Sequence, residues 1–362
     1  MIPVPMVDLQ ALHGPLQDQL VQAASRVLAS GHFILGPEVQ AFEQELAVAI
    51  GRPYAVGVSS GSDALLALLL AAGVHPGDEV VTTPYSFFAT AEAIARLGAR
   101  PVFADVETDT LNLDPEQVLA RLRPKTRAVL VVHLFGRPAA MQPLRAACGS
   151  RGVVLLEDAA QAVGAPEVGT SAGAAVSFFP AKNLGGFGDA GAVITADAAV
   201  AEKVRILRSH GATAKGVHVH VGGNFRLDAL QAALLRVKVP FLATWAEARR
   251  VRARQYHAAL AGLPLALPPL EPASVWNQFV VRVRDGGRDR LAAWLDAAGV
   301  ASAVYYRTPL HLQPALADLG YRRGDFPVAE RAAEEALALP LSPTLTDAQL
   351  DRVVSAVVGF FR

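Results

Sequence analysis

Between Tyr54 and Thr195 short apolar runs alternate with longer stretches of helical periodicity, and this alternation restricts the chain to few folds. A parallel strand buried on both faces reads as a continuous apolar run, and its next parallel neighbour requires a crossover long enough to hold a helix. The runs Ala55-Val58, Glu79-Thr82, Pro101-Ala104, Ala128-Val132, Val153-Glu157, Ala174-Phe178 and Ala192-Thr195 are predicted strands. Helices are predicted at Pro15-Leu28, Glu38-Ile50, Ala64-Ala72, Thr90-Leu97, Pro115-Leu122, Met141-Cys148 and Ala198-His210. The expectation is an α/β fold with a mostly parallel central sheet flanked by helices.

Past Pro240 the texture changes. An Arg-rich helix from Phe241 to Leu260 leads into the Pro-rich stretch Leu263-Pro272, a linker signal. Strands at Gln278-Arg284 and Ala301-Tyr305, with helices at Asp289-Ala298, Val328-Ala338 and Asp347-Phe361, predict a smaller α+β domain. The domains are therefore expected at 1–240, including an N-terminal helix, and 241–362.

Hydrophobic residues make up 52% of the 362 and aromatics only 7%, so the core must be built from Ala, Val and Leu. A formal net charge of +0 removes the long-range attraction on which nucleic-acid or anionic-membrane binding depends. Neither a basic n-region with an apolar h-region nor an apolar stretch of membrane-spanning length occurs, which predicts a cytoplasmic protein. Cys148 is the only cysteine, so an internal disulfide is excluded and a cysteine metal cluster is not expected.

Several segments carry candidate chemistry. Lys182 follows an apolar run and precedes Asn183-Leu184-Gly185-Gly186, a setting for a desolvated amine that becomes a nucleophile, or for an ordinary loop lysine. Ser59-Ser60-Gly61-Ser62-Asp63 joins a strand to a helix, and unpaired N–H groups there suit an anion; the same residues also suit a plain cap, Ser62 capping and Asp63 offsetting the dipole. Asp158 ends a strand where an open parallel sheet binds ligands, placed to hold a protonated ring nitrogen or to cap a helix. Thr83 to Thr90 puts aromatics, Phe87 among them, on another strand-to-helix loop, for packing or for stacking on a planar ligand.

Other motifs are set aside. Gly186-Phe187-Gly188-Asp189-Ala190-Gly191 matches a dinucleotide fingerprint but precedes a predicted strand where a helix is required. His218 and His220, alternating on one strand face, lack further ligands at metal spacing, and no metal is expected. Arg249, Arg250, Arg252 and Arg254 read as a solvated helix face. What converges is an anion site, a strand-end Asp, an aromatic and a lysine in a glycine-rich turn, the parts that hold pyridoxal 5′-phosphate (PLP).

The chain also resembles the DegT/DnrJ-type sugar-nucleotide aminotransferases, PLP enzymes of fold type I, from about Val7 to the last helix. The segments carrying the resemblance include Gly31-His32-Phe33-Ile34-Leu35-Gly36-Pro37, Gly61-Ser62-Asp63-Ala64-Leu65, His133-Leu134-Phe135-Gly136, Glu157-Asp158-Ala159-Ala160-Gln161, Ser177 to Gly185, Gly223-Asn224-Phe225-Arg226-Leu227-Asp228 and Pro309-Leu310-His311. The resemblance implies that Lys182 attaches the cofactor covalently and that Asp158 pairs with its ring nitrogen. It further implies that Phe87 stacks on the ring, that Gln161 lies near the 3-oxygen, and that Ser62, Asp63 and Ser177 contact the phosphate. Asn224 would reach in from a second subunit, so a homodimer with shared sites is implied, and His311, Tyr306 and Phe33 are the expected substrate contacts. Glutamate is the implied donor, and Leu319 to Pro327 is similar to members acting on 3-keto rather than 4-keto sugars. Relatives usually carry a longer, more basic stretch between the positions of Gln161 and Ser177. A cyclitol aminotransferase uses the same set, a related dehydratase would have His in place of Lys182, and a non-enzymatic regulator is disfavoured by the complete set and neutral charge.

Overall fold

The computed structural model describes residues 3–362; residues 1 and 2, at the start of the expected large domain, lie outside the described residues. Strands β1 (Tyr54–Val58), β2 (Glu79–Thr82), β3 (Arg100–Phe103), β4 (Thr126–Val132), β5 (Val154–Asp158), β6 (Ala174–Ser177) and β7 (Gly191–Thr195) form one sheet in the order β1-β7-β6-β5-β4-β2-β3. Pairing is parallel from β3 through β2, β4 and β5 to β6, whereas β7 runs antiparallel to both β6 and β1. Ala128 to Val131 are buried in the middle of the sheet, which is why that strand shows no polar alternation.

The helix Gly61–Ala71 is apolar on nearly every side, with Ala64 to Leu69 all buried. It packs against sheet residues Val56, Leu130 and Val193 and against Ile94 of the helix Ala89–Arg96, so little of it meets water. Register decides where the site lies. Val132 pairs with Asp158 and Asp158 with Ala175, while Ser177 and Val58 both pair with Gly191. The ends of β1, β4, β5 and β6 therefore form one rim.

After the hairpin β8 (Ala212–Ala214) and β9 (Val217–His218), a second sheet of β10 (Leu265–Ala266), β11 (Phe279–Val283) and β12 (Ala336–Leu339) is antiparallel throughout. Helices Arg288–Ala297 and Asp347–Phe360 cover it through Leu291, Leu295, Val353 and Val357. The helix Leu242–Leu260 is shared: Leu242, Trp245 and Ala246 join the core of the large sheet, and Ala253, Tyr256 and Leu260 that of the small one. Val4 also packs into the C-terminal core, bridging Val300. A third apolar cluster joins Tyr85, Phe103 and Phe135 of the first unit to Val280, Leu310 and Phe326 of the second.

Four expectations are corrected. Ala301-Tyr305 is not a strand; only Ala303 bridges Ala338, and the following tyrosines turn into the wall of a cavity. The predicted helix Val328-Ala338 stops at Glu335, because Ala336–Leu339 pair with β11 and tertiary pairing outweighs the helical propensity of Ala and Leu. Arg249 lies on no solvated face: it is 1% exposed, on the same helical stripe as Trp245, Ala253 and Tyr256. Its neighbours do reach outward, Arg250 to the Ser274 carbonyl and Arg254 to Glu247. His218 lies in β9 with Nδ1 2.9 Å from the His210 carbonyl oxygen, and His220 falls outside the strand. Among the described residues no helix is long and apolar enough to cross a membrane.

Gly136 fastens the two units together. At φ +90 it lies in the left-handed region, its carbonyl accepts from Val275 N at 2.8 Å and Ser274 Oγ at 3.1 Å, and a Cβ there would stand 2.6 Å from Asn277 N. Backbone atoms cannot yield to that contact. Gly136→Ala is expected to lower stability by about 2 kcal/mol or more, read as a clear fall in Tm by thermal unfolding.

Candidate active site

At the rim, Ser60 rather than Ser62 caps the helix Gly61–Ala71: its Oγ accepts from Asp63 N at 3.0 Å. The Asp63 carboxylate accepts in turn from Ser59 Oγ at 2.6 Å and Ser60 Oγ at 3.1 Å. Asp63 is thereby used in holding the cap and does not line the adjoining cavity, whereas Ser60, Gly61 and Ser62 do. Ser177, at the end of β6, packs so close to Gly61 that a Cβ on the glycine would stand 2.6 Å from the serine Cβ. A helix start with its cap tied down, a glycine and two serines make a cradle suited to a phosphate.

The cavity has a volume of about 400 Å³. Asp158 borders it, 5% exposed, with Oδ2 accepting from Thr90 Oγ1 at 2.8 Å and Oδ1 from Ala160 N at 3.2 Å. Burial pushes this carboxyl above the usual range; the Thr90 hydroxyl, the Ala160 N–H and the Lys182 charge pull it back only in part. Glu157, one residue earlier and so on the opposite strand face, is fully buried and held below its usual range despite that burial by His133 and Ser171. His133 Nδ1 accepts from Ala139 N at 3.0 Å, so its proton is on Nε2 and donates to Glu157 Oε2 at 3.0 Å. The same carboxylate receives Gly169 N and Ser171 N, each at 2.8 Å, and so anchors the short segment between Gln161 and Ser177.

Lys182 comes from a tight turn. Its own N–H donates to Phe179 O at 2.8 Å, Gly186 N donates to Phe178 O at 2.6 Å, and a Cβ on Gly185 would fall 2.1 Å from the Pro180 carbonyl. From below, the buried Lys238 donates to the Gly185 carbonyl and to His13 Nε2. The Lys182 amine, partly buried at the cavity, is brought down to about 8 by desolvation, with the Asp158 charge opposing. Phe87 and Phe179 line the same cavity and are 61% and 53% exposed.

The remaining expected residues divide. Gln161 lines the cavity with both ends engaged, Oε1 accepting from Phe135 N at 2.6 Å and Nε2 donating to Tyr306 Oη at 3.3 Å. Tyr306 lines it too, and burial keeps its phenol protonated. His311 lies elsewhere: it is 2% exposed, its Nε2 is 3.0 Å from Glu330 Oε1, and it packs on Phe326. Phe33 is 48% exposed and off the cavity, its carbonyl accepting from Ala229 N. Asn224 is exposed, its Oδ1 accepts from Arg226 Nε at 2.9 Å, and it does not border this chain's own cavity. Sequence reasoning missed Thr90, Ser86, Tyr305, Asn277 and Gln278. Thr90 lies within a segment singled out for its aromatics, but nothing local marks its hydroxyl as a partner for Asp158.

These residues fit PLP on their own chemistry. A buried carboxylate suits a cationic ring nitrogen, a glycine-opened helix start suits a phosphate, and a depressed lysine amine suits the aldehyde. The DegT/DnrJ/EryC1/StrS aminotransferase family model matches residues 16–358. A pleiotropic regulatory protein of Geobacillus stearothermophilus is 44% identical over 371 aligned residues, covering 99% of each chain. The dTDP-3-amino-3,4,6-trideoxy-α-D-glucose transaminase of Streptomyces venezuelae is 42% identical, covering 98% of this chain and 95% of the relative. NtdA from Bacillus subtilis, solved with bound PMP cofactor, superposes with a TM-score of 0.95 at 31% identity, covering 100% of this chain and 86% of NtdA. The chain belongs to the DegT/DnrJ/EryC1/StrS aminotransferase family, whose aminotransferases are PLP enzymes of this fold.

Proposed function

We propose that this aminotransferase moves an amino group from L-glutamate to a keto carbon of a nucleotide-activated deoxysugar, at C3 in preference to C4. The observation that carries the reading is the meeting of Lys182, its amine near 8, with the buried Asp158 beside a phosphate-sized cradle. Ser62, Ser177 and the first N–H groups of the helix Gly61–Ala71 take the phosphate, with Asp63 holding their geometry. Phe87 stacks on the ring, and Gln161, already oriented by Phe135 and Tyr306, offers its remaining amide hydrogen to the 3-oxygen.

When bound, PLP supplies an electron sink for the pair left behind as a substrate carbon loses its proton. Asp158 keeps that sink effective by holding the ring nitrogen protonated through a charge-assisted hydrogen bond. Thr90 and the Ala160 N–H fix the carboxylate so that it need not reorganise. Lys182 would hold the cofactor covalently at rest and, as a neutral amine displaced by the incoming donor amine, would carry the proton to and from the donor carbon. Tyr305 and Tyr306 close part of the wall and limit water.

The 3-keto preference draws on the sequence from Leu319 to Pro327 and on the 3-amino sugar named for the Streptomyces relative. In this chain that segment is wrapped on Glu330, which accepts from Gly324 N at 2.8 Å and from Phe326 N at 3.3 Å. A homodimer with shared sites is part of the same proposal. Val217, Val219 and Val221 around the β9 hairpin are 51%, 52% and 92% exposed, an apolar arm suited to a second copy, and Asn224 follows it.

Reconstituted protein should be yellow, bleach on adding glutamate, and aminate a 3-keto sugar nucleotide faster than a 4-keto one by mass spectrometry; a colourless protein that PLP cannot restore would sink the enzyme mechanism. Lys182→Ala should lose the absorbance of the lysine-bound cofactor. Asp158→Asn should keep the cofactor yet slow the glutamate half-reaction by about 100-fold or more, measured by single-turnover absorbance. Because the Lys182 amine is a nucleophile only when neutral, covalent attachment of added PLP should accelerate with rising pH and level off above about 8.

A further inference from the structure

Two hydroxyls in series lead to the buried carboxylate of the site. Thr90 Oγ1 donates to Asp158 Oδ2 at 2.8 Å. A hydroxyl carries one proton, so with that proton committed Thr90 can only accept from Ser86, whose Oγ lies 2.9 Å away. While Asp158 is ionised the chain therefore has one direction, from Ser86 to Thr90 to Asp158. Thr90 is fully buried and Ser86 is 4% exposed, four residues apart across the start of the helix Ala89–Arg96. Both units hold the loop that delivers Ser86. The Tyr85 N–H donates to Thr83 Oγ1 at 3.0 Å, Tyr85 Oη accepts from Tyr306 N at 3.2 Å, and the Pro84 carbonyl accepts from Leu310 N at 2.7 Å.

The chain matters because burial works against an ion pair. In a site this dry, an acid and a ring nitrogen can meet as two neutral groups, the acid keeping the proton, and desolvation already favours the uncharged Asp158. A donor to the carboxylate opposes that outcome, since a hydrogen bond to a charged acceptor is about twice as strong as one to a neutral acceptor. A second hydroxyl donating to the first polarises it and strengthens the bond that it makes.

We propose that Ser86 and Thr90 form a hydroxyl relay that decides where the proton between Asp158 and the cofactor ring resides, keeping Asp158 ionised and the proton on the ring nitrogen. The inference rests on the placement of the ring nitrogen at Asp158 given above and adds the residues that set its protonation. Both are positioning residues, acting through Asp158. Because the ring nitrogen serves both half-reactions, the relay bears equally on each.

The test uses the full chain as wild type, Thr90→Val, Thr90→Ser, Ser86→Ala and Asp158→Asn, with two spectroscopic readouts. In the PLP-free chain, the infrared band of protonated Asp158 is assigned by its loss in Asp158→Asn. Thr90→Val should keep that band to a pH about one unit or more higher than wild type, because a lost donor to a charged group is worth about tenfold or more in the equilibrium. Ser86→Ala should move it the same way by about two- to threefold in the equilibrium, and Thr90→Ser, which restores the donor, should return it to within about twofold of wild type. In the loaded chain, the nitrogen-15 resonance of ring-labelled PLP should lie in the pyridinium range for wild type and move toward the pyridine range in Thr90→Val and, further, in Asp158→Asn. The glutamate and ketone half-reactions should slow together in Thr90→Val. Equal infrared titrations in wild type, Thr90→Val and Ser86→Ala would overturn the relay. A ring resonance that moves in Asp158→Asn but not in Thr90→Val would overturn its control of the proton. A ring resonance unmoved even in Asp158→Asn would remove the ring nitrogen from Asp158, and the placement on which the relay rests would fail instead.

Discussion

Burial of Asp158 at the end of β5 is the constraint to which the rest of the site answers. A carboxylate with 5% exposure is costly unless its lone pairs are met, and Thr90 and the Ala160 N–H meet two of them. What remains is an excess of negative potential with a cavity in front of it and Lys182 nearby. Desolvation acts on both groups in the same sense, raising the acid and lowering the amine. The pair is thus poised for a cation of different shape to enter between the protein's own charges, as a protonated heteroaromatic ring would.

Rigidity around the site comes from buried polar atoms with fixed directions. Glu157 faces away from Asp158 and fastens the segment at Gly169 and Ser171, while His133 is locked as its donor by the Ala139 N–H. Behind Lys182, Lys238 holds the Gly185 carbonyl, and Asn183 is tied through Val275 and Asn277 to the start of β11. Gly136 adds a further tie across the same junction. The lysine turn is consequently braced by both units, and a change in their relative position would be felt at the amine.

Much of the fold was legible because the parallel sheet imposes its own signal. Strands buried on both faces must be continuous apolar runs, and β1 to β7 fall where those runs are. The C-terminal unit was harder to read because its contacts are long-range. Ala336 to Leu339 have a helix former's composition and become a strand only by pairing with β11, while Ala301 to Tyr305 look β-like but find a partner only at Ala303. Arg249 illustrates the same limit: no local signal reveals that one arginine of four lies on a stripe shared by two cores.

The sequence by itself determined the strand-to-helix junctions, and with them the positions of Ser62, Asp158, Ser177 and Lys182, since each follows a strand whose end is set by local pattern. It also carried enough ordered motifs to identify the family. Tertiary structure alone decided which of these residues meet, because register and strand order, not spacing, bring Val58, Asp158 and Ser177 to one rim. It also separated His311 and Phe33 from the cavity, brought Asn277 and Gln278 to it, and set Thr90 against Asp158. A side chain's partner depends on atoms distant in the chain, and the tie that holds Asn183 beside Lys182 exists only once Val275 and Asn277 have been packed against it.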